Sequence, residues 1–260
     1  MAVARLNAIG ARGARTSRAV LRARIVTLAV VFAVWEAVAL SGLLFRDVVP
    51  PLEKIAVALA KLVVDPELYA NLGTTAIEVA VSLVIGGVAG VAVGALLGGN
   101  RFLGRAFEPY LHYLGPTPKI IFFPIMIMWF GVGGGSKMAM GALSCFFPVA
   151  ISTAVGMRGI DAVLIRVGRS FGATRTQMLA KLYLPAMRAA MLTGFRLGLG
   201  VAVIGVLLAE TKLSNKGLGY LVIQAYTRFD IATMYALLIV IFLVAILANA
   251  LLSRLTALRQ

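Results

Sequence analysis

The sequence predicts an all-α, polytopic integral membrane protein with about six transmembrane helices. Of its 260 residues, 61% are hydrophobic and only 13% are charged, a balance far more apolar than that of a soluble domain. Several apolar runs reach the roughly 20 residues that a helix needs to cross a bilayer. The formal charge is +15, but the basic residues sit mainly at the ends of these runs. That placement orients a chain in a membrane, so nucleic acid is not an expected partner.

The composition also limits the chemistry that the chain can perform. Its single cysteine, Cys145, and single histidine, His112, leave no disulfide framework and no cluster of metal ligands. The glycine-rich segment 131–137 departs from a phosphate-binding loop, because Ser136 and Met138 stand where glycine and Ser or Thr are needed. We interpret it as a tight outer turn. No bound cofactor and no ATP hydrolysis are therefore expected of this chain, and a membrane-embedded enzyme is disfavoured.

The first part of the chain is predicted to be a basic arm followed by one span. Residues 1–24 contain six arginines and no acid. An organellar transit peptide has a similar composition, but we interpret the segment as a cytoplasmic arm beside anionic lipid. Residues 25–45 are predicted to form the first span, with Glu36 inside it. Residues 46–71 are predicted to form an outer loop with a short amphipathic helix around residues 52–64.

Glycines mark the second span, which is predicted at residues 72–99 with Asn71 or Thr74 as its cap. Four of them recur at every fourth position: Gly86, Gly90, Gly94 and Gly98. A ridge of small residues lets helices pack closely in lipid, within one protomer or between two. Residues 100–107 are predicted to form a short inner loop.

Four prolines make the third span, at residues 108–130, irregular. Prolines free backbone groups, which at membrane depth are tolerated only inside protein or beside a water-filled cavity. Lys119 lies 14 positions after Arg105, roughly 21 Å along a helix, and is therefore expected near the middle of the bilayer. A broken helix with such a cation predicts a solute path; the alternative is a lysine that snorkels or pairs within the bundle. The candidate path residues are Pro116, Pro118, Lys119, Trp129 and Arg196.

Three further apolar runs are predicted to be spans. Residues 138–157 form a charge-free fourth span, residues 189–209 a fifth and residues 231–253 a sixth, with an outer loop at residues 210–230. Arg196 lies within the fifth span, where snorkelling or local pairing is favoured over contact with a substrate.

Lysine and arginine are unequally divided between the two sides of this topology. The predicted inner segments hold 16 of the 25 basic residues, and the predicted outer segments hold 7. Because inner loops are enriched in these residues, both termini, including the tail at residues 255–260, are expected in the cytoplasm.

The segment between the fourth and fifth spans, residues 158–188, is basic and amphipathic. Its apolar residues recur at spacings of three, four and seven, which predicts helix. Gly172 interrupts the pattern, so we expect two short helices that meet near Gly172-Ala173. Leu184-Pro185 is expected to close the unit, because the residue before a proline disfavours the helical region. A charged hairpin cannot lie in hydrocarbon and should present a docking surface on the cytoplasmic face.

This segment resembles the cytoplasmic coupling loop of ABC importer permeases. That loop has the pattern Glu-Ala-Ala, three residues, Gly, about nine residues, an apolar residue and Leu-Pro. Gly172 and Leu184-Pro185 match it, whereas Arg166 stands at the position of the glutamate. The resemblance implies Phe171 as a knob in an ATPase groove and Gly172 as the turn. The implied ATPase-coupling residues are Arg166, Arg169, Ser170, Phe171, Gly172, Ala173, Thr174, Leu184 and Pro185.

The resemblance extends over most of the chain. In order, the stretches PKIIFFPIMIMWFGVGGGSK, FFPVAISTAVGMRGID, RSFGAT and LPAMRAAMLTGFRLGLGVAVIGVLLAE look like the nitrate/sulfonate/taurine branch of these permeases. This implies the type I ABC importer permease fold. The permease core would occupy residues 71–254, preceded by one extra helix and an outer loop at residues 25–70.

The resemblance also implies partners and a substrate class. The expected assembly is a homodimer of this permease with two cytoplasmic ABC ATPases, which hold ATP and magnesium, and an extracytoplasmic substrate-binding protein. It would lie in the bacterial cytoplasmic (inner) membrane and import a small anion, with a sulfonate favoured over taurine or nitrate. A self-sufficient ion-coupled transporter or channel is the alternative. The scarcity of ionisable residues in the predicted spans disfavours it: Glu36, Glu78, Lys119 and Arg196.

Overall fold

The computed structural model describes residues 2–42 and 48–257, with side-chain surroundings given for residues 20–42 and 48–254. Within these ranges all regular secondary structure is helical. Five helices are long and apolar enough to cross a membrane, and one bent pair forms a possible sixth span. The predicted all-α membrane protein with about six spans is therefore confirmed. The predicted end of the first span at residue 45, Arg46 in the following loop and Arg259 in the tail lie outside the described residues.

Eleven helices occupy this part of the chain, and a 3₁₀ turn and a π turn join some of them. In chain order the elements are α1 (Ala2–Ser41), α2 (Leu52–Val63), α3 (Pro66–Gly99), α4 (Arg101–Leu114), the 3₁₀ turn (Lys119–Phe122), α5 (Phe123–Phe130), α6 (Gly134–Arg158), α7 (Ala162–Ser170), α8 (Arg175–Gln177), the π turn (Met178–Tyr183), α9 (Leu184–Glu210), α10 (Leu218–Thr227) and α11 (Ile231–Ala257).

The core of the bundle is α6, which packs along both α3 and α9. The predicted glycine ridge of α3 lies directly on the α6 backbone, where Gly86, Gly90, Gly94 and Gly98 face the carbonyl oxygens of Ala142, Phe146, Ala150 and Ala154. A Cβ atom on Gly94 would lie 2.3 Å from the Ala150 oxygen, so no larger residue fits without displacing a helix. The ridge therefore acts within one protomer.

An adjacent face of α6 packs against α9, and Val149 of α6 contacts glycines of both neighbouring helices. A Cβ atom added to Gly198 would lie 2.8 Å from the Cys145 sulfur, and a Cβ atom added to Gly205 would lie 2.7 Å from Ser144 Oγ. Small residues at contact positions permit the close van der Waals packing on which helix association in lipid depends. The three helices therefore form one tightly packed unit.

Two polar contacts join α1 to the start of α2. Glu36, the acid inside the first span, accepts a hydrogen bond from the Leu52 backbone N–H at 3.0 Å. Trp35 donates its indole N–H to the Pro50 carbonyl at 3.1 Å and packs edge-on against Tyr235 of α11, with 5.2 Å between ring centroids. Glu36 thus satisfies one of the first amides of α2, a group that the helix itself leaves unpaired.

The predicted boundaries at both ends of the second span differ from the structure. The helix of the second span begins at Pro66, with Asp65 accepting from the Glu67 N–H at 2.8 Å, so neither Asn71 nor Thr74 is its cap. The predicted inner loop at residues 100–107 is also wrong, because α4 begins at Arg101 and Asn100 caps it. Charge suggested a loop there, yet an amphipathic helix at a membrane surface carries charge equally well.

The ridge yields a test of the packing. We expect Gly94→Ala to lower the thermal unfolding midpoint of the detergent-purified protein, because overpacking a tight contact costs about 1–3 kcal/mol. Gly73→Ala is the matched control on the same helix, since nothing lies within 4 Å of its added Cβ. A glycine-to-alanine change at an open helical site is neutral or stabilising. Equal midpoints for the two variants would contradict the described contact.

Candidate functional site

The basic hairpin, residues 161–183, follows α6 as the sequence predicted. Asp161 begins α7 by accepting a hydrogen bond from the Val163 N–H at 2.7 Å. The helix ends at Ser170, a turn follows, and the next helix begins at Arg175. The predicted first short helix and the turn near Gly172 are therefore confirmed, whereas the second helix is not short, because it belongs to a helical segment of 36 residues that ends at Glu210.

The turn of the hairpin is fixed by backbone hydrogen bonds. Gly172 has φ +68°, a left-handed conformation that favours glycine. Its N–H donates to the Arg169 carbonyl at 3.0 Å, and the Ala173 N–H donates to the Gly168 carbonyl at 3.1 Å. These two bonds are the Schellman motif that ends many helices. Because both lie within the backbone, the turn has one defined shape.

The second helix of the hairpin starts with an equally defined cap. The Thr174 N–H donates to Gln177 Oε1 at 2.9 Å, and the Gln177 N–H donates to Thr174 Oγ1 at 3.3 Å, the reciprocal bonding of a capping box. Gly168 then allows the two helices to touch, since a Cβ atom there would lie 2.6 Å from the Met178 sulfur. The hairpin is consequently a rigid body and not a loose loop.

The tip of the hairpin is exposed. Phe171 is 86% exposed, although a large aromatic side chain gains most from burial. Around it Arg166, Arg169, Ser170, Gly172 and Thr174 are exposed, and Ala173 is partly buried. The structure therefore gathers six of the predicted coupling residues around the tip, with Arg166 one turn back on α7.

Leu184 and Pro185 lie away from the tip, at the start of α9. The prediction that they end the hairpin is wrong. The helix continues from Arg175 to Glu210 without a break. A π turn precedes Pro185, and the Leu184 N–H donates to Leu179 O, five residues back. In this wider turn the backbone N–H donates to the carbonyl five residues back and not four, just before Pro185, which has no N–H to donate. As a result, the hairpin joins the fifth span as one continuous helical rod.

The third span is broken, as predicted. Arg101–Leu114 and Lys119–Phe130 meet at 94°. The ammonium of Lys119 donates to the carbonyls of Gly115 and Thr117 and lies 5.0 Å from the centroid of the Phe147 ring. Carbonyls at a helix end attract cations, so Lys119 binds the end of α4. The predicted separation of 21 Å along one straight helix is wrong, because the chain bends by 94° between Arg105 and Lys119.

The other candidate path residues have different surroundings. Pro116 and Pro118 are exposed at the break, and Trp129 is 72% exposed on α5. Arg196 lies on α9 and donates to Ser253 Oγ of α11 at 2.7 Å. The structure thus groups the prolines with Lys119, whereas Arg196 has a local partner on another helix.

Sequence reasoning missed a buried charged cluster at the opposite end of α6 and α9 from the hairpin. It consists of Asn71, Thr75, Glu78, Lys137 and Glu210. Lys137 was predicted in an outer turn ahead of a charge-free span, but α6 begins at Gly134 and leaves this side chain only 3% exposed. Glu210 was predicted to start an outer loop, but it ends α9 with 0% exposure. Charges beside the ends of apolar runs were thus mistaken for loop residues.

Direct contacts connect the members of this cluster. Lys137 Nζ lies 3.9 Å from Glu78 Oε1. Thr75 Oγ1 donates to Glu210 Oε1 at 2.7 Å, and the Gly219 N–H donates to Glu210 Oε2 at the same distance. Both oxygens of Glu210 are thus hydrogen-bonded, and the Lys137 ammonium offsets part of the cost of burying the Glu78 carboxylate. The cluster therefore ties α3, α6 and α9 together through polar bonds.

The cluster also positions the start of α10, within the predicted outer loop at residues 210–230. The Gly217 N–H donates to Asn71 Oδ1 at 2.7 Å, and the Leu218 N–H donates to Thr75 Oγ1 at 2.8 Å. Gly217 has φ +104°, and a Cβ atom on it would lie 2.2 Å from Glu210 Oε1. The sequence feature that could have indicated this cluster was Glu210 at the end of an apolar run, followed by Gly217-Leu-Gly219.

Comparison with known proteins places this geometry in context. Residues 82–258 match the family model described as the binding-protein-dependent transport system inner membrane component. A putative aliphatic sulfonates transport permease protein, SsuC, of Bacillus subtilis is 33% identical over 76% of this chain and 71% of its own length. The taurine transport system permease protein TauC of Escherichia coli is 31% identical over 88% of this chain and 87% of its own length.

More distant similarities extend this result. The nitrate import permease protein NrtB of Synechococcus elongatus is 25% identical over 87% of this chain and 84% of its own length. A chain from inward-facing structures of the MetNI methionine ABC transporter superposes with a TM-score of 0.63. It is 21% identical, and the match covers 74% of this chain and 96% of that chain. This likeness supports the predicted type I importer permease fold.

The buried charged cluster can be tested through stability. We expect Lys137→Met to lower the thermal unfolding midpoint, because removing one partner of a buried ion pair costs about 3–5 kcal/mol. Adding Glu78→Gln should restore much of that loss, since the carboxylate left unpaired is then neutral. Lys216→Met, which changes an exposed lysine, is the control and should have little effect. A midpoint for Lys137→Met equal to that of the control would show that the pair does not contribute.

Proposed function

The chain belongs to the binding-protein-dependent transport system inner membrane component family, and on this premise we propose how it works as the permease of an ABC importer. It carries a small anion across the bacterial inner membrane, powered by ATP hydrolysis on a separate subunit. The observation that supports this mechanism best is the rigid basic hairpin, which exposes Phe171 and continues directly into a span.

The hairpin would act as a lever on the fifth span. In this proposal Phe171 inserts into a groove of a cytoplasmic ATPase, and Arg166 pairs with that surface. The helix of 36 residues from Arg175 to Glu210 then carries a movement of the hairpin to the opposite end of the bundle. Packed helices shift as rigid units between discrete arrangements, so closure of the ATPases would reorient α9 and open the path alternately to each side.

The assembly that we propose contains two copies of this chain, two ATPases and a substrate-binding protein outside the membrane. The hairpins, and with them both chain termini, face the cytoplasm. The end that holds the buried charged cluster faces the binding protein. Magnesium and ATP bind to the ATPases, which leaves this chain the task of translocation.

The substrate that we propose is a small oxyanion, with an alkanesulfonate first. The relatives named for aliphatic sulfonates, taurine and nitrate support this class, since each of these solutes carries negatively charged oxygens. Within the chain, the break beside Pro116, Pro118 and Lys119 is the proposed contact along the path, with Trp129 and Arg196 as further candidates. Exposed backbone and a cation at a broken helix suit a passing anion.

A self-sufficient ion-coupled transporter is the second candidate. The buried charged cluster favours it, because titratable groups inside a bundle can bind a coupling ion. Uptake into proteoliposomes that contain this chain alone, under a proton gradient without ATP, would establish that alternative. Uptake that requires the ATPases and ATP would exclude it.

The proposed coupling role predicts that an ATPase subunit stays bound to the chain during purification. When the tagged chain is purified in mild detergent from its native host, we expect a stoichiometric ABC ATPase to copurify. Phe171→Ala should abolish or strongly reduce this copurification without affecting the amount of membrane-inserted protein, because the exposed ring contributes little to the fold. The ratio of ATPase to permease on a stained gel or by mass spectrometry measures the effect.

A second exposed phenylalanine provides the matched control. Phe229 is 83% exposed, close to the value for Phe171, and lies between α10 and α11, on the side opposite to the hairpin. Phe229→Ala should leave ATPase copurification unchanged. If both variants retain the ATPase equally, the assignment of Phe171 as the contact is wrong.

The proposed path predicts a charge effect at Lys119. We expect Lys119→Gln to lower anion uptake several-fold in reconstituted complexes, whereas Lys119→Arg, which keeps the charge, should retain most of it. Because Lys119 also binds the end of α4, each rate is divided by the amount of folded complex, and thermal midpoints are measured in parallel. If Lys119→Gln lowers the thermal midpoint but leaves the uptake per folded complex unchanged, Lys119 only caps α4 and does not contact the anion.

A further inference from the structure

A cleft lies between α4, the end of α6 and the basic hairpin. Its volume is about 720 Å³, within the range of roughly 300–1,000 Å³ that is typical of small-molecule sites. One part of its wall is apolar and consists of Leu97, Met157, Ile160 and Ile165. The other part is strongly basic and includes Arg101, Arg105, Arg158 and Arg169. The cleft thus combines an apolar surface with a concentration of positive charge.

One acid faces these arginines, and it is already paired. The Glu108 carboxylate accepts hydrogen bonds from both terminal nitrogens of Arg158, one of them at 2.6 Å. His112 Nε2 lies 3.7 Å from the same carboxylate. Glu108 and Arg158 therefore neutralise each other, and the acid has little capacity left to balance the remaining charge of the cleft.

The other three guanidinium groups of the cleft have no such partner among the side chains that the structure describes. Within the described part of the chain, Arg101, Arg105 and Arg169 form no ion pair. They come from two elements, α4 and α7, that converge on this one space. Like charges that face a common cleft repel one another unless an anion lies between them. The planar guanidinium group also binds phosphate-like and carboxylate oxygens with two parallel hydrogen bonds.

We propose that this cleft binds an organic anion with an apolar tail. The anionic group contacts Arg101, Arg105 and Arg169, and the tail lies along the apolar wall beside Leu97 and Ile165. Two sources have this chemistry: the headgroup of an anionic phospholipid, and a soluble alkanesulfonate. In either case the ligand touches both α4 and the hairpin, so its presence connects the broken third span to the rigid tip.

An alternative explanation is a solvated basic surface of the kind that orients membrane proteins. Such a surface needs only exposed charge, and Arg101, Arg105 and Arg169 are exposed. Here the unpaired arginines line a cleft that also has an apolar wall, which favours a ligand with both characters. A direct binding measurement separates the two explanations.

The test uses the full chain in nanodiscs of zwitterionic phosphatidylcholine, with radiolabelled octanesulfonate as the probe. We expect saturable binding to the wild-type protein that weakens as salt is added. Arg105→Gln should weaken it by roughly tenfold, the factor expected when one charge-assisted hydrogen bond is lost. Arg188→Gln is the matched control: it removes an exposed arginine outside the cleft and should leave the affinity unchanged.

Arg101→Gln gives an independent check from the same wall and should also weaken binding. Nonsaturable binding to the wild-type chain, or equal affinities for Arg105→Gln and Arg188→Gln, would overturn the proposal. Nanodiscs that contain phosphatidylglycerol then identify the source: displacement of the probe points to a lipid headgroup, and its retention points to a soluble anion. Neither ATPase nor transport is required, so failure here leaves the proposed import function untouched.

Discussion

The contact between glycine faces and the backbone of α6 is the constraint on which the rest of the structure depends. Lipid does not drive apolar helices together as water does, so their association depends on how closely the backbones approach. Gly94 of α3 and Gly198 of α9 both meet α6 at distances that leave no room for a side chain. Three spans thereby become one body, and the positions of both functional ends follow from it.

The two ends of this body are stabilised by different interactions. At one end, backbone bonds around Gly172 fix the hairpin, and its second helix becomes α9 without a break. At the other end, Glu210 closes α9 by binding α3 through Thr75 and the start of α10 through Gly219. Because the helix is continuous between them, the hairpin and the hydrogen bonds of Glu210 belong to one structural element. In the proposed mechanism, displacement of the hairpin would therefore strain the bonds of Glu210.

Residue spacing allowed the sequence to predict the spans, the glycine ridge, the break at the prolines and the turn at Gly172, since each depends on local pattern. Longer-range features could not be predicted in this way. Lys137 and Glu210 stand beside the ends of apolar runs, and only the packed bundle shows that they are buried. Likewise, the rule for residues before a proline does not anticipate a π turn, which lets the helix continue through Pro185.

The distribution of paired charge separates structural from interacting surfaces. Lys137 lies next to Glu78, and Arg158 binds Glu108, so these charges have partners within the protein itself. Within the described residues Arg166 has no ion pair, and it lies on the exposed side of α7 at the position where the permease pattern has glutamate. A glutamate there would favour a basic partner surface, and an arginine favours an acidic one. In the proposed complex, the ATPase surface that faces Arg166 is therefore expected to be acidic.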